Sequence, residues 1–133
     1  MKPSPVKSTI DFEQDGLQHG FLKLPYSHDE SAYGSVMIPI SMAKNGEGPT
    51  ALLTGGNHGD EYEGPIALFD LARTIDSRQI RGRVILVPAM NYAAFQAAKR
   101  TSPIDSGNMN RSFPGNPEGS ITEKITDYFQ RTL

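Results

Sequence analysis

The stretch Thr50-Ala51-Leu52-Leu53-Thr54-Gly55-Gly56-Asn57-His58-Gly59-Asp60-Glu61-Tyr62-Glu63-Gly64-Pro65 decides how the chain is read. Its first five residues form a short continuous apolar run that stops at Gly55-Gly56, the pattern of a buried strand. A helical pattern follows. Ile66, Leu68, Phe69, Leu71, Ala72 and Ile75 recur at spacings of three and four, with Pro65 near the first helical position and Glu61 and Glu63 ahead of it. Past Arg81-Gly82, the run Val84-Ile85-Leu86-Val87 predicts a second buried strand. Strand, helix and strand within about 40 residues make a βαβ unit with a right-handed crossover.

Upstream of this unit, Val6 to Phe12, Leu17 to Leu24 and Ser35 to Ala43 are apolar-rich runs separated by turn residues, and each predicts a strand. Pro39 sits inside the third run, which suits an edge strand better than a central one. The chain is therefore expected to divide into residues 1–47, N-terminal strands packing on the core, and residues 48–133, one compact unit. Downstream, a short helix is expected over Tyr92 to Arg100. The nineteen residues from Thr101 to Gly119 are rich in Ser, Pro, Gly and Asn and predict irregular structure, and loops that long tend to carry function or be disordered. Ser120-Ile121-Thr122-Glu123 then fits a capping box, placing Ile121, Ile125 and Phe129 on one face of a final helix that meets no Gly or Pro stop.

Composition narrows the function classes. The chain has 133 residues, 13 Lys and Arg against 15 Asp and Glu, and a formal charge of −2 without runs of like charge. Binding to nucleic acid or membrane through bulk electrostatics is not expected. There is no Cys, hence no disulfide, no thiolate nucleophile and no Cys-type zinc site. Neither a signal-peptide pattern nor an apolar stretch of about 18 residues occurs, which points to a soluble cytoplasmic protein. Oligomerisation is left open.

The chemistry concentrates in the 55–64 turn. It joins a strand end to a helix start, where α/β sheets usually bind ligands. His58 and Glu61 are three residues apart, so a chain that coils there points both at one centre about 2 Å from each donor atom, as zinc accepts. A Gly-rich loop ahead of a helix is also the pattern of a phosphate cradle. Asp60, Glu61 and Glu63 crowd that place and the nucleotide fingerprints are missing, so charge favours a cation. In the long loop, Asn110-Arg111 precedes Phe113-Pro114-Gly115; the Arg fork matches a carboxylate with two parallel hydrogen bonds and Asn adds a third. Arg100 is a further cation at the start of that loop, and the plain alternative is that both Arg residues are solvated. His19 and His28 read as polar surface residues, and Asp105 and Ser102 as turn residues.

Gly-Gly-x-His-Gly-Asp-Glu-x-Glu-Gly at 55–64, followed by Asn-Met-Asn-Arg-Ser-Phe-Pro-Gly at 108–115, resembles the succinylglutamate desuccinylase/aspartoacylase family of the zinc carboxypeptidase-like group. The resemblance implies an α/β fold: a three-layer core with a mixed, largely parallel sheet flanked by helices, preceded by short N-terminal strands and incomplete at the C-terminus. It implies zinc-dependent hydrolysis of the amide bond of an N-acylated amino acid. His58 and Glu61 match the first two Zn²⁺ ligands, and Asn110 and Arg111 the pair that binds the substrate carboxylate. Arg100 lies about where the family places an Arg that polarises the scissile carbonyl. The family's third ligand, a His on a strand after the helix that starts here at Ser120, and its general-base Glu have no match in these residues. The chain is therefore expected to be part of a longer enzyme and to have little activity alone. A non-catalytic small-ligand or anion-binding module built on the 55–64 turn is the alternative.

Overall fold

The computed structural model describes residues 2–133. Five strands, β1 (Lys7–Ser8), β2 (Gly16–Pro25), β3 (Ser35–Asn45), β4 (Thr50–Thr54) and β5 (Gly82–Val87), form one sheet in the order β1-β2-β3-β5-β4. The helices are α1 (Glu63–Thr74), α2 (Tyr92–Gln96) and α3 (Ile121–Arg131). The expected α/β architecture with a mixed sheet is present, but its balance differs. Only β4–β5 is parallel; β1–β2, β2–β3 and β3–β5 are antiparallel. The cause is local, because the short connections between successive N-terminal strands permit hairpins, whereas β4 returns to β5 through α1.

β3 lies inside the sheet despite Pro39. Opposite Pro39 stands Phe21, whose N–H and C=O are both engaged by Thr9 on the far side of β2. Nothing on β2 therefore asks Pro39 for an N–H, and β5 pairs with β3 only from Ser41 onward. β4 departs from expectation in the other direction. It is an edge strand, exposed at Thr50, Ala51, Leu52 and Thr54, because one side pairs with β5 and its other side with no described strand.

One sheet face carries the main core. Alternate residues Leu22 and Leu24 of β2, Val36, Ile38, Ile40 and Met42 of β3, and Ile85 and Val87 of β5 pack against Ile125, Tyr128 and Phe129 of α3. On the opposite face, Leu68 and Ala72 of α1 cover Leu86. Helix–sheet–helix is thus the layering at the β4–β5 end of the sheet, where α1 packs. Ile66 and Phe69, expected on the buried face of α1, are exposed. α3 starts where the capping box predicts: Ser120 Oγ accepts from Glu123 N, and the Glu123 carboxylate from Ser120 N. α2 is shorter than expected, since Ala98 at φ +52° turns the chain out of the helix.

Candidate active site

The site lies where the two parallel strands end. Gly55 N–H donates to Val87 O at 3.0 Å, extending the β4–β5 ladder by one residue. Met90 N–H and Asn91 N–H then donate to Gly55 O and Gly56 O at 2.8 and 3.1 Å. Two chain reversals are thereby stitched together at the C-terminal strand ends. Gly56 takes φ +64°, which a side chain would resist. Gly59 presses on the backbone of Ala94 and Phe95 in α2, where a Cβ has no room. Between these two glycines His58 is buried.

His58 Nδ1 lies 3.0 Å from Glu61 Oε1, and His58 Nε2 lies 3.2 Å from Asn108 Oδ1. Asn108 Oδ1 also accepts the backbone N–H of Asn110 at 3.2 Å, which identifies that atom as the oxygen. His58 Nε2 therefore carries a proton and donates it. In the neutral ring, the Nδ1 lone pair then faces a carboxylate oxygen. Two electron-rich atoms this close require a positive centre between them, either a proton or a metal ion. A divalent ion about 2.0–2.2 Å from each atom suits this imidazole–carboxylate pair, so the donor set fits zinc. Among the described residues no group of three His, Cys, Asp or Glu is placed to hold one ion.

The other expected site residues divide. Arg100 reaches the pair, with one guanidinium nitrogen 3.5 Å from Glu61 Oε1 and both side chains more than half exposed. Asn110 joins from the long loop: its Oδ1 accepts from Asn57 Nδ2 at 3.1 Å. Arg111 stays at the margin, donating to the Asn110 carbonyl at 3.1 Å, and among the described residues it has no hydrogen bond to His58, Glu61 or Arg100. His19 is occupied with Ser41 at 2.8 Å, and His28 stacks on Tyr26. An apolar groove of about 450 Å³ between α1 and the β2–β3 face, lined by His19, Phe21 and Phe69, contains none of the site residues.

Sequence reasoning missed Asn108 and Asn57. Asn108 had a usable signal, since Asn suits the N-cap of a short helical turn, and it caps the 3₁₀ turn Met109–Arg111. The loop around it is anchored at several points. Met109 is fully buried in the main core. Asp105 Oδ2 accepts from Thr122 N at 2.7 Å, and its Oδ1 accepts from the Thr122 hydroxyl at 2.8 Å and Gly107 N at 2.9 Å. Burial alone would raise the Asp105 pKa; these donors outweigh it and hold the carboxyl below its ordinary value.

A family model described as the succinylglutamate desuccinylase/aspartoacylase catalytic domain matches residues 47–133. The chain belongs to this family. It is 64% identical over 132 residues to N-alpha-acetyl-L-2,4-diaminobutyric acid deacetylase of Halomonas elongata, covering 99% of this chain and 39% of the relative. The product-bound structure of the ectoine utilization protein EutE (DoeB) from Ruegeria pomeroyi superposes with a TM-score of 0.97 at 64% identity, over 99% of this chain and 40% of that one. A succinylglutamate desuccinylase/aspartoacylase structure from Rhodobacter sphaeroides gives a TM-score of 0.94 at 46% identity, over 98% and 40%. The chain thus spans about two fifths of these family members. The family model begins at Glu47, just ahead of β4, and takes in the whole 55–64 turn and the long loop.

Proposed function

We propose that this chain supplies part of the site of a zinc-dependent amidohydrolase acting in the cytoplasm. Its substrate is an N-acylated amino acid of the N-acetyl-diaminobutyrate type. The observation that carries this is the His58 Nδ1 lone pair 3.0 Å from Glu61 Oε1, with Nε2 tied to Asn108. The activity named for the Halomonas elongata relative supports the choice of acyl group and amine.

His58 and Glu61 would hold the zinc. When bound, zinc supplies Lewis acidity, which acidifies water towards neutral pH and polarises an amide carbonyl. Asn108 keeps the His58 proton on Nε2 and so keeps Nδ1 free to ligate. Arg100, now resting against Glu61, brings the cation that stabilises charge developing on the amide oxygen. Asn110 and Arg111 grip the substrate carboxylate, which fixes the acyl group relative to the reacting centre. Catalytic zinc normally has three protein ligands. The third ligand and the general base come, on this proposal, from sequence beyond the 133 residues. The anion-module alternative gains nothing from the geometry, because the Gly55 N–H is taken by the sheet ladder and Glu61 stands over the turn.

The test is metal content and chelation in the complete protein. It is expected to carry one zinc per chain, to lose deacylation of N-acetyl-diaminobutyrate on chelation and to regain it with zinc. His58→Ala should abolish both zinc binding and turnover. Chelator-resistant activity, or a ligand bound equally well by His58→Ala, would overturn the proposal.

A further inference from the structure

We infer that Asn57 is a positioning residue that sets which face of the Asn110 amide meets the substrate; this rests on the carboxylate role proposed for Asn110. Asn57 Nδ2 donates to Asn110 Oδ1 at 3.1 Å, a bond between residues 53 apart in sequence. The other end of the Asn57 amide, Oδ1, is buried without a hydrogen-bond partner among the described residues. Asn57 therefore makes no side-chain bond to its own turn, unlike Asn108, whose Oδ1 caps Asn110 N within its own loop. Its one polar contact is to the residue that faces substrate.

An asparagine amide has two chemically opposite ends. With Oδ1 held by a donor, both hydrogens of Asn110 Nδ2 are free for an anion. Turned over, the same side chain would offer lone pairs to the substrate carboxylate and repel it. The neighbour that decides between these states must itself be a donor, and Asn57 supplies that donor from a fixed point between Gly56 at φ +64° and the buried His58. The Asn57–Asn110 bond also spans the two halves of the site. It ties the carboxylate end of the substrate to the turn that carries the metal ligand, and so sets the distance between anchoring point and reacting bond.

The test is a double-mutant cycle in the complete enzyme, read as kcat, KM for N-acetyl-diaminobutyrate and zinc content. Asn57→Leu should raise KM about three- to tenfold, with kcat within about twofold and zinc content unchanged. The near-isosteric Asn57→Asp should raise KM further, because its carboxylate draws the Asn110 NH2 group away from substrate, and it reports even if the Leu variant folds poorly. Both effects should vanish in an Asn110→Ala background, where no amide is left to orient. An unchanged KM in both Asn57 variants, with Asn110→Ala still raising it, overturns this inference alone. So does a penalty that persists undiminished in the Asn110→Ala background, which would mark a general structural or charge effect. If Asn110→Ala itself leaves KM unchanged, the carboxylate role falls, and the inference with it.

Discussion

The 55–64 turn and the 101–119 loop meet at one site but are held by different means. The turn is set by backbone: ladder bonds from Gly55 and Gly56 to the end of β5 and its exit, a left-handed Gly56, and Gly59 packed on the α2 main chain. The loop is set largely by side chains: Met109 sunk into the core, the Asp105 carboxylate on Thr122, and the Thr126 hydroxyl on Ser112 O, with main-chain support from the Asn116 N–H on Glu123 O and from Gly115 packed on the α3 backbone. On the proposed function, a metal ligand needs one geometry, and main-chain bonds supply it without regard to most side chains. The loop that the same proposal assigns to the substrate can be re-tuned by substitution, because its main anchors are single side chains. The contrast predicts that the two halves fail separately.

The largest effect is expected at Met109. Met109→Ala removes a fully buried side chain from the main core and should cost about 2–5 kcal/mol, read as a shift in the denaturation midpoint. Its functional damage should raise KM through Asn110 and Arg111, and weaken zinc binding only as far as Asn108 loses its bond to His58. Next comes Gly59→Ala, which forces a methyl group into the backbone of Ala94 and should cost about 1–3 kcal/mol. Here the damage should appear in zinc affinity, with the loop left in place. If Gly59→Ala impairs substrate binding and spares zinc, the separation into a backbone-set and a side-chain-set half is wrong.

The parts of the molecule that were legible in sequence are those set by near neighbours. The Ser120–Glu123 box is a contact over three residues, and both of its bonds are present. His58 and Glu61 lie three apart on one turn and do meet. What escaped was set across the chain. The apolar run of β4 reads as buried, yet its exposure depends on which strands lie beside it. Pro39 reads as an edge residue, yet it is accommodated because the register puts Phe21 opposite and β5 stops short. Asn108 and Asn57 act through bonds to residues 50 and 53 positions away, a distance at which spacing carries no information. The Asn110-Arg111 motif was visible as chemistry, but the outward turn of Arg111 onto the Asn110 carbonyl was not.

The last effect, no larger than that at Gly59, is at Asp105, where it probes whether the loop is held by charge as well as by burial. The folded carboxyl titrates below its ordinary value of 3.8, since the donors from Thr122 and Gly107 favour the ionised form. A carboxyl lowered on folding adds stability that is fully present above the unfolded value and is lost as pH falls through the folded one. Asp105→Asn turns one acceptor oxygen into a donor facing Thr122 or Gly107, and should cost about 1–3 kcal/mol near neutral pH. Native and variant denaturation midpoints should then converge as pH is lowered through the carboxylate range. A gap between the two that persists unchanged into strong acid would mean that shape alone, and not the carboxylate charge, clamps the loop to α3.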